Sequence, residues 1–380
     1  MIAFSRPAVF EAEAEYLSQV RDFRAPWGGG VFYAKASEEI RTMHQVHDVL
    51  LTQSCTAALE LAALGLNVGP GDEVIIPSYT FVTTASAFAL RGAKIVFADS
   101  EPETLNMDAT ELESLITSRT KAIVVVHYGG VACDMDEIMS IAKRHGVAVV
   151  EDAAQAIGSS YKGRPLGSIG DLGCLSFHGT KNVSSGEGGA LLVNSRDEIL
   201  LDRLHTAHEK GTDRAKFLRG EVDKYTWRQL GSSFIPSEFT CAILLAQLQN
   251  FGLIQARRRS SWDKYMAAFA DIQQSGFRWL SQDALGANLH MFALISPDGA
   301  SRESLRKGLR EKGVVATSHY EPLHSSPFAT SQDWPRTVAP VSQDLSERIL
   351  RFPLWSEEGL DTDLITSATL SILQSQQVAK

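Results

Sequence analysis

The chain has 380 residues, 44% of them hydrophobic and 21% charged, with a formal net charge of −9. This is globular composition, not that of a disordered, collagen-like or membrane-spanning chain, and its length suits one large domain with a smaller second one. The acidic balance offers no broad basic field to nucleic acid or anionic lipid, although local donors can still bind an anionic small molecule.

No apolar run approaches the ~20 residues of a membrane span. The opening MIAFSRPAVFEAEAEY has acids where a secretory signal has its apolar segment. Cys55, Cys133, Cys174 and Cys241 lie far apart, without zinc-ligand spacing. They read as reduced thiols, so no metal is expected and the expected compartment is the cytoplasm.

From about residue 47 short β-rich runs alternate with helical stretches. Strands are predicted at 48–53 (DVLLTQ), 73–78, 94–99, 122–128, 147–152, 174–178 and 190–194. Helical patterns such as TAALELAALGL and MDEIMSIAKRHG separate most of them. Runs that are apolar on both faces, joined by helices, predict a mostly parallel sheet covered on both sides. The two close strand signals between 152 and 194 predict a local antiparallel pair. After a polar stretch near 205–229, SEFTCAILLAQLQNFGLIQARRR reads as one long helix. Beyond ~260 come a strand near 290–295, a helix near 301–313, a strand at 314–320 and terminal helices. The expected division is a large domain, residues 1–255, and a small α/β domain, residues 256–380.

Three local patterns carry chemistry. Asp152 closes an apolar strand, where it is either a helix cap or an acid facing a ligand at the carboxyl end of a parallel sheet. A buried carboxylate needs a positive partner, and a protonated pyridine nitrogen is one. Lys181 follows a strand and precedes Gly186-Glu187-Gly188-Gly189. It is either a turn lysine or a desolvated amine with the lowered pKa that a nucleophile and base requires. Ser54-Cys55-Thr56 opens a helix, as a plain cap or as a phosphate seat on free N–H groups. No P-loop or GxGxxG motif is present.

Together these stretches resemble the DegT/DnrJ/EryC1/StrS family of sugar aminotransferases. The likeness rests on SCTAALELA (54–62), residues 71–99, the block 150–189 with its Asp-x-x-Gln and Ser-Phe-His-x-Thr-Lys patterns, and HYEPLH (319–324). It implies the fold-type I, aspartate aminotransferase-like architecture, with a mostly parallel seven-stranded sheet in the large domain and pyridoxal 5'-phosphate as cofactor. It implies that Lys181 holds the cofactor covalently and moves the proton. Asp152 pairs with the ring nitrogen, Gln155 reaches the ring hydroxyl side, and Phe81 stacks on the ring. Cys55, Thr56 and Ser176 hold the phosphate.

Family members are homodimers with shared sites, in which the neighbour supplies an Asn to the phosphate; here Ser233 takes that position, with a shorter reach. His178 shapes the pocket, and His290, Tyr320 and His324 are candidates for sugar or diphosphate contacts.

The SCTA, VHYGGVACDMD, VDKYTWR and GSS variants resemble the galactose-type subset. That subset implies transfer from L-glutamate to C4 of a nucleotide-linked 4-keto-6-deoxyhexose, namely TDP-4-keto-6-deoxy-D-glucose, giving TDP-4-amino-4,6-dideoxy-D-galactose for surface polysaccharide. Two alternatives stand beside it: the same chemistry giving the gluco epimer or a 3-amino sugar, and a non-catalytic regulator or scaffold that keeps the fold.

Overall fold

The computed structural model describes residues 1–280 and 286–378. Among the described residues twelve strands run in chain order: β1 Asp48–Thr52, β2 Glu73–Pro77, β3 Lys94–Ala98, β4 Thr120–Val126, β5 Ala148–Asp152, β6 Ser160–Tyr161, β7 Arg164–Pro165, β8 Leu172–Ser176, β9 Gly189–Val193, β10 Arg278–Trp279, β11 Phe292–Ile295 and β12 Ile349–Phe352. Seven form one sheet in the order β1-β9-β8-β5-β4-β2-β3. All run parallel except β9, which is antiparallel to both neighbours. The predicted antiparallel pair is thus β8 with β9, and it frames the loop that carries Lys181.

The period-2 alternation of these strands explains why they read as unbroken apolar runs. On β4, Ile123 and Val125 enter one core with Leu51, Ile75 and Val149, while Ala122 and Val124 enter the other with Leu50, Val74 and Val150. The helix α2, Val31–His44, covers the first face with Phe32, Ala36 and Ile40; α3, Cys55–Gly65, covers the second with Ala58, Leu59 and Leu61. Neither α2 nor the preceding helix α1, Glu11–Phe23, is among the elements predicted from sequence. The buried Glu238 carboxylate anchors this region by accepting from the backbone N–H of Gly30, Phe32 and Tyr33 at 3.1, 2.8 and 3.0 Å.

The long predicted helix is two: Glu238–Gln249 and Phe251–Ala268, bent by 62° at Asn250. Among the described residues no single helix is long and apolar enough to cross a membrane. The bend turns Ile254 into the core of the large sheet, while Trp262 and Tyr265 enter that of a three-stranded sheet, β10-β11-β12. The expected boundary at 255/256 falls inside this bridging helix.

The stretch 314–320 is not a strand. It touches β12 at one bridge, Thr317 to Arg351, and Val314 bridges Ile2. The chain then leaves the sheet edge, taking His319 and Tyr320 into a cleft.

Candidate active site

The carboxyl ends of the parallel strands open onto a cavity of about 470 Å³, where ligands of open α/β sheets bind. Asp152 and Lys181 line it together with Cys55, Thr56, Phe81, Gln155, Ser176, His178, His290 and Tyr320.

Asp152 ends β5 and is buried. Its Oδ2 accepts from Thr84 Oγ1 at 2.8 Å and its Oδ1 from the Ala154 N–H at 3.1 Å. Burial pushes its carboxyl above the usual range, although Thr84, Ala154 and the nearby Lys181 ammonium pull it down. Thr84 belongs to α4, Val82–Ala89, and is in turn held by Thr80 Oγ1 at 2.9 Å. Both threonines escaped the sequence reading, because a hydroxyl in or just before an alanine-rich helix has no local signature.

Glu151, one residue earlier, points to the opposite face and is structural. Its carboxylate accepts from the N–H groups of Gly167, Ile169 and Gly170 at 2.7, 2.6 and 2.6 Å and lies 2.8 Å from His127 Nε2. His127 Nδ1 accepts the Cys133 N–H at 3.2 Å, which only a neutral ring can do, so Nε2–H donates to Glu151. Burial raises the Glu151 carboxyl, but His127 and the loop N–H groups outweigh it and hold it below its ordinary 4.5. A depressed acid stabilises the fold above its unfolded pKa and loses that contribution as pH falls through the folded value. Glu151→Ala should cost roughly 3–5 kcal/mol at neutral pH, because it leaves the N–H groups of Gly167, Ile169 and Gly170 buried without an acceptor, at about 1–3 kcal/mol each. Urea denaturation of the apoprotein reads this out, and a loss under ~1 kcal/mol would contradict it.

Lys181 sits on the loop between β8 and β9. The loop is closed by backbone bonds from Gly179 N–H to Gly186 O and from Phe177 N–H to Gly188 O, both 2.9 Å. The glycines have different reasons. Gly186 turns at φ +81°, whereas a Cβ on Gly189 would lie 2.3 Å from the Ser54 carbonyl carbon and 2.5 Å from Cys55 N. Close approach of β9 to the start of α3 therefore demands glycine there. Burial lowers the Lys181 amine below its ordinary 10.5, against the pull of Cys55 and Asp152. At the start of α3 the Ser54 hydroxyl accepts from Ala57 N–H at 3.1 Å, and Cys55 and Thr56 lie at the cavity end of that helix.

The opposite wall is aromatic and polar. Gln155 accepts from the Gly129 N–H at 2.8 Å and donates to Tyr320 OH at 3.0 Å. Tyr320 packs with Tyr79, Phe81 and Tyr128, and His319 stacks on it at 3.6 Å. His319 also meets Tyr128 OH at 2.6 Å. His290 is buried and donates from Nδ1 to Asn182 Oδ1 at 2.9 Å; burial, then Lys181 and Arg258, push its pKa well down, so it is neutral. His178 is half exposed at the mouth, 3.7 Å from Glu187. Tyr79, Tyr128 and His319 were not singled out in the sequence, although His319 opens HYEPLH, and the fold alone brings them together.

Two expected residues lie elsewhere. His324 is outside the cavity lining; its ring meets Ser78 Oγ at 2.6 Å and holds the segment that leads to Phe81. Ser233 is exposed, bridged to Glu209, and does not line this chain's own cavity.

The constellation fits pyridoxal phosphate. Asp152 is a buried acid in want of a cationic partner, Lys181 a desolvated amine, the start of α3 a seat for a phosphate, and Phe81, 52% exposed, an aromatic face over the opening.

Comparison with known proteins agrees. The model of the DegT/DnrJ/EryC1/StrS aminotransferase family matches residues 11–366. The chain is 36% identical to the spore coat polysaccharide biosynthesis protein SpsC of Bacillus subtilis (strain 168), over 84% of each protein. It is 31% identical to the GDP-perosamine synthase of Escherichia coli O157:H7, over 92% of each. Spr1654 from Streptococcus pneumoniae in its PMP form superposes with a TM-score of 0.90 at 26% identity, covering 99% of this chain and 100% of that one. Its PLP form gives 0.89, also at 26%, covering 98% and 99%. The chain therefore belongs to the DegT/DnrJ/EryC1/StrS aminotransferase family and is a pyridoxal-phosphate-dependent sugar aminotransferase.

Proposed function

We propose that the enzyme moves an amino group from L-glutamate to C4 of TDP-4-keto-6-deoxy-D-glucose, giving TDP-4-amino-4,6-dideoxy-D-galactose for surface polysaccharide. The observation that carries the chemistry is the pairing of Asp152 and Lys181 in one buried cavity. The sugar is supported by the galactose-type sequence variants and by relatives named for polysaccharide and GDP-perosamine synthesis.

When bound, the cofactor supplies an electron sink for the carbanion left at the amino-bearing carbon. Asp152 keeps a proton on the ring nitrogen by its negative charge. Lys181 would hold the cofactor through Nζ, and its amine would carry the proton to and from the reacting carbon on one face. Gln155, fixed between Gly129 and Tyr320, meets the ring hydroxyl side. Phe81 covers the ring, and Cys55, Thr56 and Ser176 hold the phosphate. Ser233 is exposed and outside the lining of its own cavity, and by resemblance to the family it would serve the neighbouring site of a homodimer, with Ser233 of the partner subunit near the phosphate. His178, His290 and Tyr320 contact the sugar, and His324 acts indirectly through Ser78. Four free thiols suit a reducing compartment, and we place the enzyme in the cytoplasm.

Incubating the holoenzyme with TDP-4-keto-6-deoxy-D-glucose and L-glutamate should yield a 4-amino sugar of galacto configuration by NMR. A gluco or 3-amino product would overturn the stereochemical or positional assignment. Absence of amination with every nucleotide-linked keto sugar would overturn the function.

A further inference from the structure

Among the groups that touch Asp152, Thr84 is the one that packing alone does not explain. It sits in the first turn of α4, fully buried, next to Ala85, which enters the core of the large sheet. Valine would fill the same space without burying a hydroxyl. A helical threonine commonly satisfies its hydroxyl by bonding back to a carbonyl of its own helix. Thr84 instead bonds two side chains: Asp152 Oδ2, 68 positions later, at 2.8 Å, and Thr80 Oγ1 at 2.9 Å.

The directions of these bonds follow from the charge of Asp152. A hydroxyl has one proton to give and lone pairs to receive another. An ionised carboxylate only accepts, so Thr84 gives its proton to Asp152 and accepts that of Thr80. The Thr80 hydroxyl belongs to a buried residue in the turn before α4, on the wall of the cavity. A protonated Asp152 reverses the chain, from carboxyl to Thr84 to Thr80. The two directions differ in strength, because a hydrogen bond to a charged acceptor is about twice as strong as a neutral one. The threonine pair therefore favours the ionised acid, against the burial that favours the neutral one. It also fixes the carboxylate's angle, since Thr84 holds Oδ2 while the Ala154 N–H holds Oδ1 at 3.1 Å.

We propose that Thr84 is a positioning residue of the transamination, holding Asp152 ionised and aimed so that the ring nitrogen of the cofactor keeps its proton. This rests on the pairing of Asp152 with that nitrogen, read above. Thr84 does not line the cavity, so its effect passes through Asp152. Thr80 stands behind it as the donor that orients its hydroxyl.

NMR of holoenzyme loaded with pyridoxal phosphate isotopically labelled at the ring nitrogen reads the proton directly. Wild type should show a protonated ring nitrogen, and Thr84→Val should move the signal towards the unprotonated position. Limiting rates with L-glutamate and with the keto sugar should both fall about tenfold, the lower end for one hydrogen bond to a charged group. Both half-reactions fall alike because both draw on the same electron sink. Thr84→Ser, which keeps the hydroxyl, should stay within about threefold of wild type, and Thr80→Val should act in the same direction as Thr84→Val but less. In an Asp152→Asn background Thr84→Val should cost no more than about twofold further, because the two act as one unit. An unchanged ring-nitrogen signal in Thr84→Val would contradict the proposal, as would a loss confined to one half-reaction or one that persists in full beside Asp152→Asn. A merely structural threonine would lower the melting temperature of the apoprotein and leave the nitrogen signal where it was. Failure of the Asp152 reading is distinct: the wild-type ring nitrogen would then be unprotonated, or Asp152→Asn would leave its proton in place.

Discussion

Replacing Lys181 with alanine should reduce transamination by at least about 10³-fold, within the range that one positioned acid–base group supplies, before the loss of covalent attachment is counted. The lysine-linked visible band of the holoenzyme should be lost with it, and borohydride should fix the cofactor covalently to the wild-type chain but not to the variant. The physical basis is the lowered amine pKa. Burial disfavours the ammonium, so a larger share of Lys181 is neutral and nucleophilic at working pH than of a surface lysine.

The same shift has a cost to the apoprotein. Between the folded value and the ordinary 10.5 the unfolded chain binds the extra proton, so apoprotein stability should rise with pH across that window. Lys181→Met should remove this dependence and melt no lower than the wild-type apoprotein. A variant that keeps the visible band, or one active within tenfold, would exclude Lys181 as the attachment point.

Asp152→Asn should lower turnover by roughly 10- to 100-fold, the equivalent of a charged hydrogen bond worth ~1.5–3 kcal/mol. Asparagine keeps the shape and can still accept from Thr84, but it has no negative charge to hold a proton on the ring nitrogen. Cofactor occupancy should persist, since Lys181 and the start of α3 are untouched, so the loss falls on kcat. Because burial raises the Asp152 carboxyl in the empty cavity, cofactor binding should itself lower that pKa. A fully active Asp152→Asn enzyme would remove the acid from the mechanism.

The difference between Asp152 and Glu151 shows where sequence reading stops. Both are acids at the end of one buried strand, and alternation sends them to opposite faces. One meets the cavity, and the other meets three backbone N–H groups and His127. Only the chemistry of Asp-x-x-Gln, taken with Lys181 further on, marked the first of them as the reactive acid.

The local order of the large sheet was legible because apolar runs, turn glycines and helix lengths are set by neighbours in the chain. The antiparallel β8–β9 pair, with Lys181 between its strands, belongs to this class. So do the cofactor and the family, which rest on residues at fixed spacing. Tertiary structure decided what depends on partners distant in sequence. It broke the long helix at Asn250, so that one part serves each sheet, and it made 314–320 a lead into the cleft. It also brought His319 and Arg351 to the cavity, and set Thr84 against Asp152 and Tyr128 against His319 behind its lining, from positions far apart in the chain. A hydroxyl, a tyrosine or an arginine carries no local mark of function, and its role is fixed by which charges it faces and whether water can reach it.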